Sequence, residues 1–179
     1  MIYMFFAEGF EEVEAIAPLD LMRRAGLSVT TVGVGGKTIT GAHGITVTTD
    51  LSDTEYSDPS PDMVFLPGGM PGTLNLSASQ TVLDAVRTTQ TVGGRLAAIC
   101  AAPSILGDLG LLEGKRATCY PGFEDRLRGA VLAEERVVLD GNVLTARGMG
   151  VAVEMGLAIV ELYCGKEKAD ALRHAVIAD

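Results

Sequence analysis

The stretch "GGRLAAICAAPSILGDLGLL", residues 93–112, sets the frame for the whole chain. Arg95 to Ile99 reads as a short apolar strand, Cys100 follows alone, and the next residues have the look of a helix. A strand that runs directly into a helix is half of a βαβ unit, so the flanking sequence is tested for the same alternation. Upstream, "DMVFLPGG" (62–69) is another buried-looking strand closed by a glycine turn, and "NLSASQTVLDAVRTTQ" (75–90) is a helix capped by Ser77 or Ser79. At the start, "MIYMFF" suits a strand, and "EEVEAIAPLDLMRRAG" (11–26) has helical spacing with acids first, Arg23 and Arg24 last and Gly26 as its stop. "LSVTTVG" (27–33) is a β-branched strand, and residues 34–50 form a hairpin or excursion.

Downstream, "RATCY" (116–120) is a strand, "FEDRLRG" (123–129) a short helix and "ERVVLDGNVLTARG" (135–148) a hairpin turning at its "DG". "GVAVEMGLAIVELYCG" and "KEKADALRHAVIAD" close the chain as an apolar and an amphipathic helix. The alternation predicts an α/β fold with a mainly parallel sheet between helical layers. Sites in such folds gather beyond the carboxyl ends of strands, where strand order switches, which selects the ends at Phe6, Leu66 and Ile99.

Composition bounds the rest. The 179 residues are expected to form a single domain, 1–179, with roughly two-thirds of the unfolded surface buried. No apolar run approaches the ~20 residues of a membrane span, and the acidic N-terminal region makes a poor signal peptide, so a cytoplasmic location is expected. A net charge of −9 argues against nucleic acid as a partner. Cys100, Cys119 and Cys164 are odd in number and widely spaced, and only His43 and His174 accompany them, so neither a disulfide framework nor a metal site is expected.

A side chain at a sharp strand-to-helix turn is lifted into the crevice, as in a nucleophile elbow. The helix that follows Cys100 points its N-terminus at the thiol, which favours thiolate. The alternative is an ordinary buried cysteine. "LPGGMPG" (66–72) either exposes amides, at Gly68 and Gly69, for an oxyanion or is a plain turn. Glu14 shares an apolar stripe with Pro18, Leu21 and Ala25, whereas Glu11 and Glu12 turn toward solvent. A carboxyl against apolar surface gains a raised pKa suited to proton transfer, and the plain alternative is an acidic first helical turn. His43 falls in a loop with no evident role, Cys119 and Tyr120 end a strand beside the crevice, and Cys164 is a packing residue.

In this order "AEGFEEVEAIAPLDLMRRAG", "LPGG", "AAICAAP", "LTARG" and "GLAIVELYCGKEKA" resemble the ThiJ/PfpI family, DJ-one type, over almost the whole chain. The resemblance implies a flavodoxin-like three-layer α/β sandwich related to class I glutamine amidotransferase domains, and a homodimer. It places the family's reactive cysteine at Cys100, its protonated glutamate at Glu14 and its oxyanion amides at Gly69 and Ala101. Gly68 and Arg147 (of "LTARG") become pocket candidates. His43 falls where some relatives carry arginine near the pocket mouth. Some members have a histidine near the cysteine, and here "CYP" puts Tyr120 in its place, so a Cys–His protease pair is unsupported. The resemblance implies a cofactor-independent glyoxalase or deglycase acting on methylglyoxal or glyoxal adducts. Its alternatives are a redox-responsive stress protein or chaperone whose cysteine oxidises to sulfinate, and a member that keeps only the fold.

Overall fold

The computed structural model describes residues 1–178. Its first strand, β1 (Ile2–Phe6), leads into α1 (Glu12–Arg24) and returns as β2 (Val29–Gly33). An excursion follows, β3 (Thr38–Thr40) paired antiparallel with β4 (Thr46–Thr48), and then β5 (Leu51–Ser52). Next come β6 (Met63–Leu66), α2 (Gly72–Ala78), α3 (Gln80–Thr91), β7 (Arg95–Ile99) and α4 (Pro103–Asp108). The last third holds β8 (Arg116–Ala117), β9 (Val131–Leu132), β10 (Val137–Asp140), β11 (Val143–Ala146), α5 (Ala152–Cys164) and α6 (Lys166–Ala175).

The central sheet has seven strands in the order β10-β11-β7-β6-β1-β2-β5. Only the β10–β11 pairing is antiparallel. Strand side chains alternate between two cores, as period-two geometry requires. Met4, Phe6, Phe65, Ala97 and Ile99 face α1 and α5 with Met22, Met155 and Ile159. Phe5, Val64, Leu66, Leu96 and Ala98 face α3 and α4 with Val82, Val86 and Leu106. Burial on both faces explains why β1, β6 and β7 read as continuous apolar runs. Outside α5, Leu157 and Val160 pack with Leu21, Ala169 and Leu172 to seat α6. No helix among the described residues is long and apolar enough to cross a membrane.

Strand order reverses at β1, which has β2 on one side and β6 on the other. The carboxyl ends of β1, β6 and β7 are therefore adjacent.

Several local expectations are corrected. The 75–90 segment is two helices, because Ser79 adopts extended backbone (φ −84°, ψ 116°) between them and caps α3 with its hydroxyl on the Val82 N–H. The strand in 116–120 stops at Ala117: the Thr118 N–H goes to Thr145 Oγ1 and the Tyr120 N–H to the Cys100 carbonyl, so neither can continue a ladder. The 123–129 segment supplies a single 3₁₀ turn, Glu124–Arg126. Cys164 is exposed rather than packed.

Candidate active site

At the end of β7 the chain turns sharply through Cys100, whose φ of 66° lies where non-glycine residues rarely go. The turn is held from both sides: the Cys100 N–H donates to the Ala146 carbonyl at 2.9 Å, and its own carbonyl accepts from the Tyr120 N–H at 2.8 Å. Small buried neighbours, Ala101 and Ala102, leave room for it. The thiol is lifted out of the sheet and half-buried, as the elbow pattern predicts.

Glu14 reaches the same point from the first turn of α1. Glu11 caps that turn, its Oε2 accepting the Glu14 N–H at 2.7 Å. Glu14 is 1% exposed, on the stripe with Pro18 and Leu21, and α1 runs unbroken through Pro18. Its carboxyl accepts the Gly68 N–H at 3.1 Å, accepts the Met149 N–H as well, and shares a hydrogen bond with the Cys100 thiol. The amides of Gly69 and Ala101 both point at the Cys100 sulfur. At Gly69 the backbone takes φ 93°, which glycine adopts without penalty, and that conformation aims its N–H inward. Gly68 is glycine for want of space: a Cβ there would run into Glu14 Oε2 and stand 2.5 Å from Cys100 Cβ.

Burial pushes the Glu14 carboxyl up to about 7; the Cys100 hydrogen bond opposes the rise and the Glu11 charge adds to it. The Cys100 thiol moves up to about 12, through burial and then the neighbouring Glu14 charge, against the lowering by the Gly69 and Ala101 amides. The expected lowering of the thiol by the following helix is therefore overturned. That helix, α4, begins three residues on at Pro103 and has only six residues, so its dipole is short and set back. Glu14 and Cys100 titrate as a unit that gives up its first proton near 7 and keeps the other to about 12. In between, a thiolate exists as sulfur facing a protonated Glu14.

The other expected pocket residues divide. Tyr120 stands at the mouth, its ring beside Gly148, which in turn borders the Glu14 carboxyl. Cys119 and Arg147 line a neighbouring cavity with Thr118, Glu124 and Glu134. Burial and the Glu124 charge push the Cys119 thiol up to about 11, against Arg147. His43 bonds to Glu12, not to the thiol: Glu12 accepts from His43 N–H at 2.7 Å and meets its Nδ1 at 2.8 Å, with the Ile45 N–H at 3.4 Å. Glu12 is thus 5% exposed, and the expectation that it turns to solvent is corrected. Burial raises the Glu12 carboxyl, but the bonds from His43 and Ile45 outweigh it and hold it below the usual range, while Glu12 raises His43. Glu11, Glu12 and His43 bring potential ligand atoms within 4.8 Å of one another. The Glu12 oxygens are occupied by these donors and the positive end of α1 opposes a cation.

Two contributors escaped the sequence, the Met149 amide and Gly148. Both follow β11, whose parallel pairing with β7 sets Ala146 opposite Ile99 and brings the next residues to the crevice. The "DG" turn identifies the hairpin but not that second pairing.

A model of the DJ-1/PfpI family matches residues 1–162. The chain belongs to the DJ-1/PfpI family. Among its relatives, the Drosophila melanogaster protein dj-1beta is 38% identical over 168 residues, 92% of this chain and 90% of that protein. The Arabidopsis thaliana protein DJ-1 homolog B is 40% identical over 166 residues, 91% of this chain, which spans only 38% of that longer protein. The Caenorhabditis elegans glutathione-independent glyoxalase DJR-1.2 is 31% identical over 167 residues, covering 92% and 89% of the two chains. Among solved DJ-1/PfpI structures, oxidized Toxoplasma gondii DJ-1 superposes with a TM-score of 0.94 at 29% identity, over 98% of this chain and 97% of that one. The mainly parallel α/β sandwich is thus the family's fold.

Proposed function

We propose that the protein is a cofactor-independent glyoxalase or deglycase that uses Cys100 as nucleophile and Glu14 as proton carrier. The observation that carries this reading is the Glu14–Cys100 hydrogen bond inside a ring of main-chain amides, with Glu14 raised to about 7. A group poised there both gives and takes protons near neutrality. The C. elegans relative named as a glutathione-independent glyoxalase supports the same class.

With methylglyoxal, the Cys100 sulfur attacks the aldehyde carbon, and the carbonyl oxygen takes a proton from Glu14 to give a hemithioacetal. The Gly69 and Ala101 amides stabilise the oxygen while its charge develops. Glu14, now a carboxylate, removes the hydrogen on that carbon and passes it to the ketone oxygen, and an enediol forms. Glu14 then takes the proton of the hydroxyl on the sulfur-bearing carbon and delivers it to the adjacent carbon, which leaves a lactoyl thioester on Cys100. Water hydrolyses the thioester to lactate and frees the thiol, so the sum is methylglyoxal plus water giving lactate. A glyoxal adduct on an amine or thiol enters by the same attack and releases that group.

The test is lactate formation by the purified protein without glutathione or metal, beside Cys100→Ala. Turnover lost in the variant supports the proposal; turnover that survives in it removes the proposal.

A second reading is a redox-responsive protein, favoured by the half-buried thiol and by the Toxoplasma relative solved as oxidized. Peroxide would take Cys100 to sulfenate and a second equivalent to sulfinate, releasing water each time. Intact-mass analysis after mild peroxide decides it: a gain of two oxygens on Cys100 supports the reading, and an unmodified thiol ends it. The homodimer implied by the resemblance is likewise a proposal, checked by sedimentation against the 18.7 kDa chain mass.

A further inference from the structure

The Glu14–Cys100 pair is walled mostly by main chain, with one aromatic side chain at its entrance. Tyr120 begins a tight turn: its carbonyl accepts the Phe123 N–H at 3.1 Å across Pro121 and Gly122. Gly122 takes φ 98°, the positive value a type II turn demands at that position. At the other side, the Tyr120 N–H is bonded to the Cys100 carbonyl at 2.8 Å. The residue is thus fixed directly to the elbow, although 51% of it is exposed. Among the described residues no side-chain hydrogen bond holds its phenol, and the anchoring lies in the backbone.

Where the ring faces is given by Gly148. A Cβ built there would lie 3.3 Å from Tyr120 Cδ2 and 3.6 Å from Glu14 Oε1. The space over Gly148 is therefore a gap a single carbon thick, with the Tyr120 ring on one side and the reactive carboxyl on the other. It stays open because residue 148 has no side chain; its extended backbone (φ 161°) demands no glycine. The opposite wall, at Gly68, is already in contact with Glu14 and Cys100 and cannot widen.

We infer that Tyr120 is a specificity-determining residue whose ring forms the outer wall of this gap and favours electrophiles bearing a flat apolar substituent beside the reacting carbon. An aldehyde carbon held at Cys100 directs its substituent out over Gly148, against the ring face or edge. Aromatic and apolar groups gain there, and glyoxal, whose second carbon is a small polar formyl group, gains little. The inference rests on the thiol chemistry proposed above only for its substrate names, because the wall acts on any electrophile that Cys100 attacks.

The experiment has two arms on wild type, Tyr120→Phe and Tyr120→Ala. In the first, kcat/KM is measured for phenylglyoxal and for glyoxal, with kcat and KM resolved. The phenylglyoxal-to-glyoxal ratio is expected to fall ~10-fold in Tyr120→Ala, through KM, and to stay within about twofold in Tyr120→Phe. In the second arm, intact-mass kinetics follow Cys100 alkylation by N-phenyl iodoacetamide and by iodoacetamide, which needs no turnover. The same ratio is expected to fall in Tyr120→Ala and to hold in Tyr120→Phe. If wild type turns over neither aldehyde, the glyoxalase reading fails and the alkylation arm alone judges the wall. Ratios unchanged in Tyr120→Ala overturn the inference. So does a loss in Tyr120→Phe as large as in Tyr120→Ala, since the hydroxyl and not the ring would then be acting.

Discussion

Glu14 is the residue on which pH acts most directly. Its folded value of about 7 lies above that of an exposed glutamate, because burial penalises the charge. An acid whose pKa is raised on folding costs no stability while both states are protonated. Above its unfolded pKa, the unfolded chain ionises more readily and stability falls until the folded group also ionises. Between about pH 4.5 and 7 the protein should therefore lose up to a few kcal/mol from this group, read as a falling denaturant midpoint. Glu14→Gln should flatten that slope; an equally steep slope in the variant would show that another group is responsible. His43 gives the opposite case. Its pKa is raised by Glu12 while that of Glu12 is lowered, so their charged pairing is complete below the ordinary histidine value and above the ordinary glutamate value. It is lost as pH rises through the raised His43 value or falls through the lowered Glu12 value. NMR titration should find the His43 pKa lower in Glu12→Gln than in wild type.

Among the elements, the α1–α5 pair decides where Glu14 sits. Gly156 on α5 lies against α1 so closely that a Cβ would come within 2.9 Å of Pro18 Cα and 2.8 Å of Leu21 Cδ1. Pro18 cannot yield as a flexible side chain would. Gly156→Ala should cost about 1–3 kcal/mol by overpacking, seen as a lower Tm, and should weaken the proposed lactate formation through a displaced Glu14. A variant with unchanged stability and activity would mean that the helices slide freely. This is also the scale at which the sequence was most and least informative. β1, β6 and β7 were legible because each is an unbroken apolar run ended by a turn. The elbow at Cys100 was legible because a strand ran straight into a helix. Glu14 was legible only as an ordinary acid in a first helical turn, since the groups that enclose its carboxyl, Gly68, Cys100 and Met149, lie more than fifty residues away along the chain. Glu12 was misjudged for a related reason: its partners, His43 and Ile45, belong to the excursion, and no helical periodicity reports a loop folding back.

For the molecule as a whole, strand order places chemistry at the middle of the sheet and irregularity at its margins. β1, β6 and β7 lie inside, each covered on both faces. The β3–β4 and β8–β9 pairs stand apart as two-stranded sheets. Amides of the inner strands should exchange with solvent only on global unfolding, and those of β3–β4 and β8–β9 through local opening at lower free energy. Native-state hydrogen exchange across a denaturant series checks this; isotherms that merge for both sets would show one cooperative unit. A candidate site built on the protected strands keeps its geometry while the periphery moves.

The ring of amides around the Glu14–Cys100 pair carries a consequence for anyone mapping the site by substitution. Gly68, Gly69, Ala101 and Met149 each offer a peptide N–H, and no exchange of side chains removes one except proline. A residue-by-residue scan would test Glu14 and Cys100 in their proposed roles and credit the remaining positions only with shape. Backbone amide-to-ester replacement, introduced by semisynthesis one bond at a time, is the chemistry that would make those four silent donors countable.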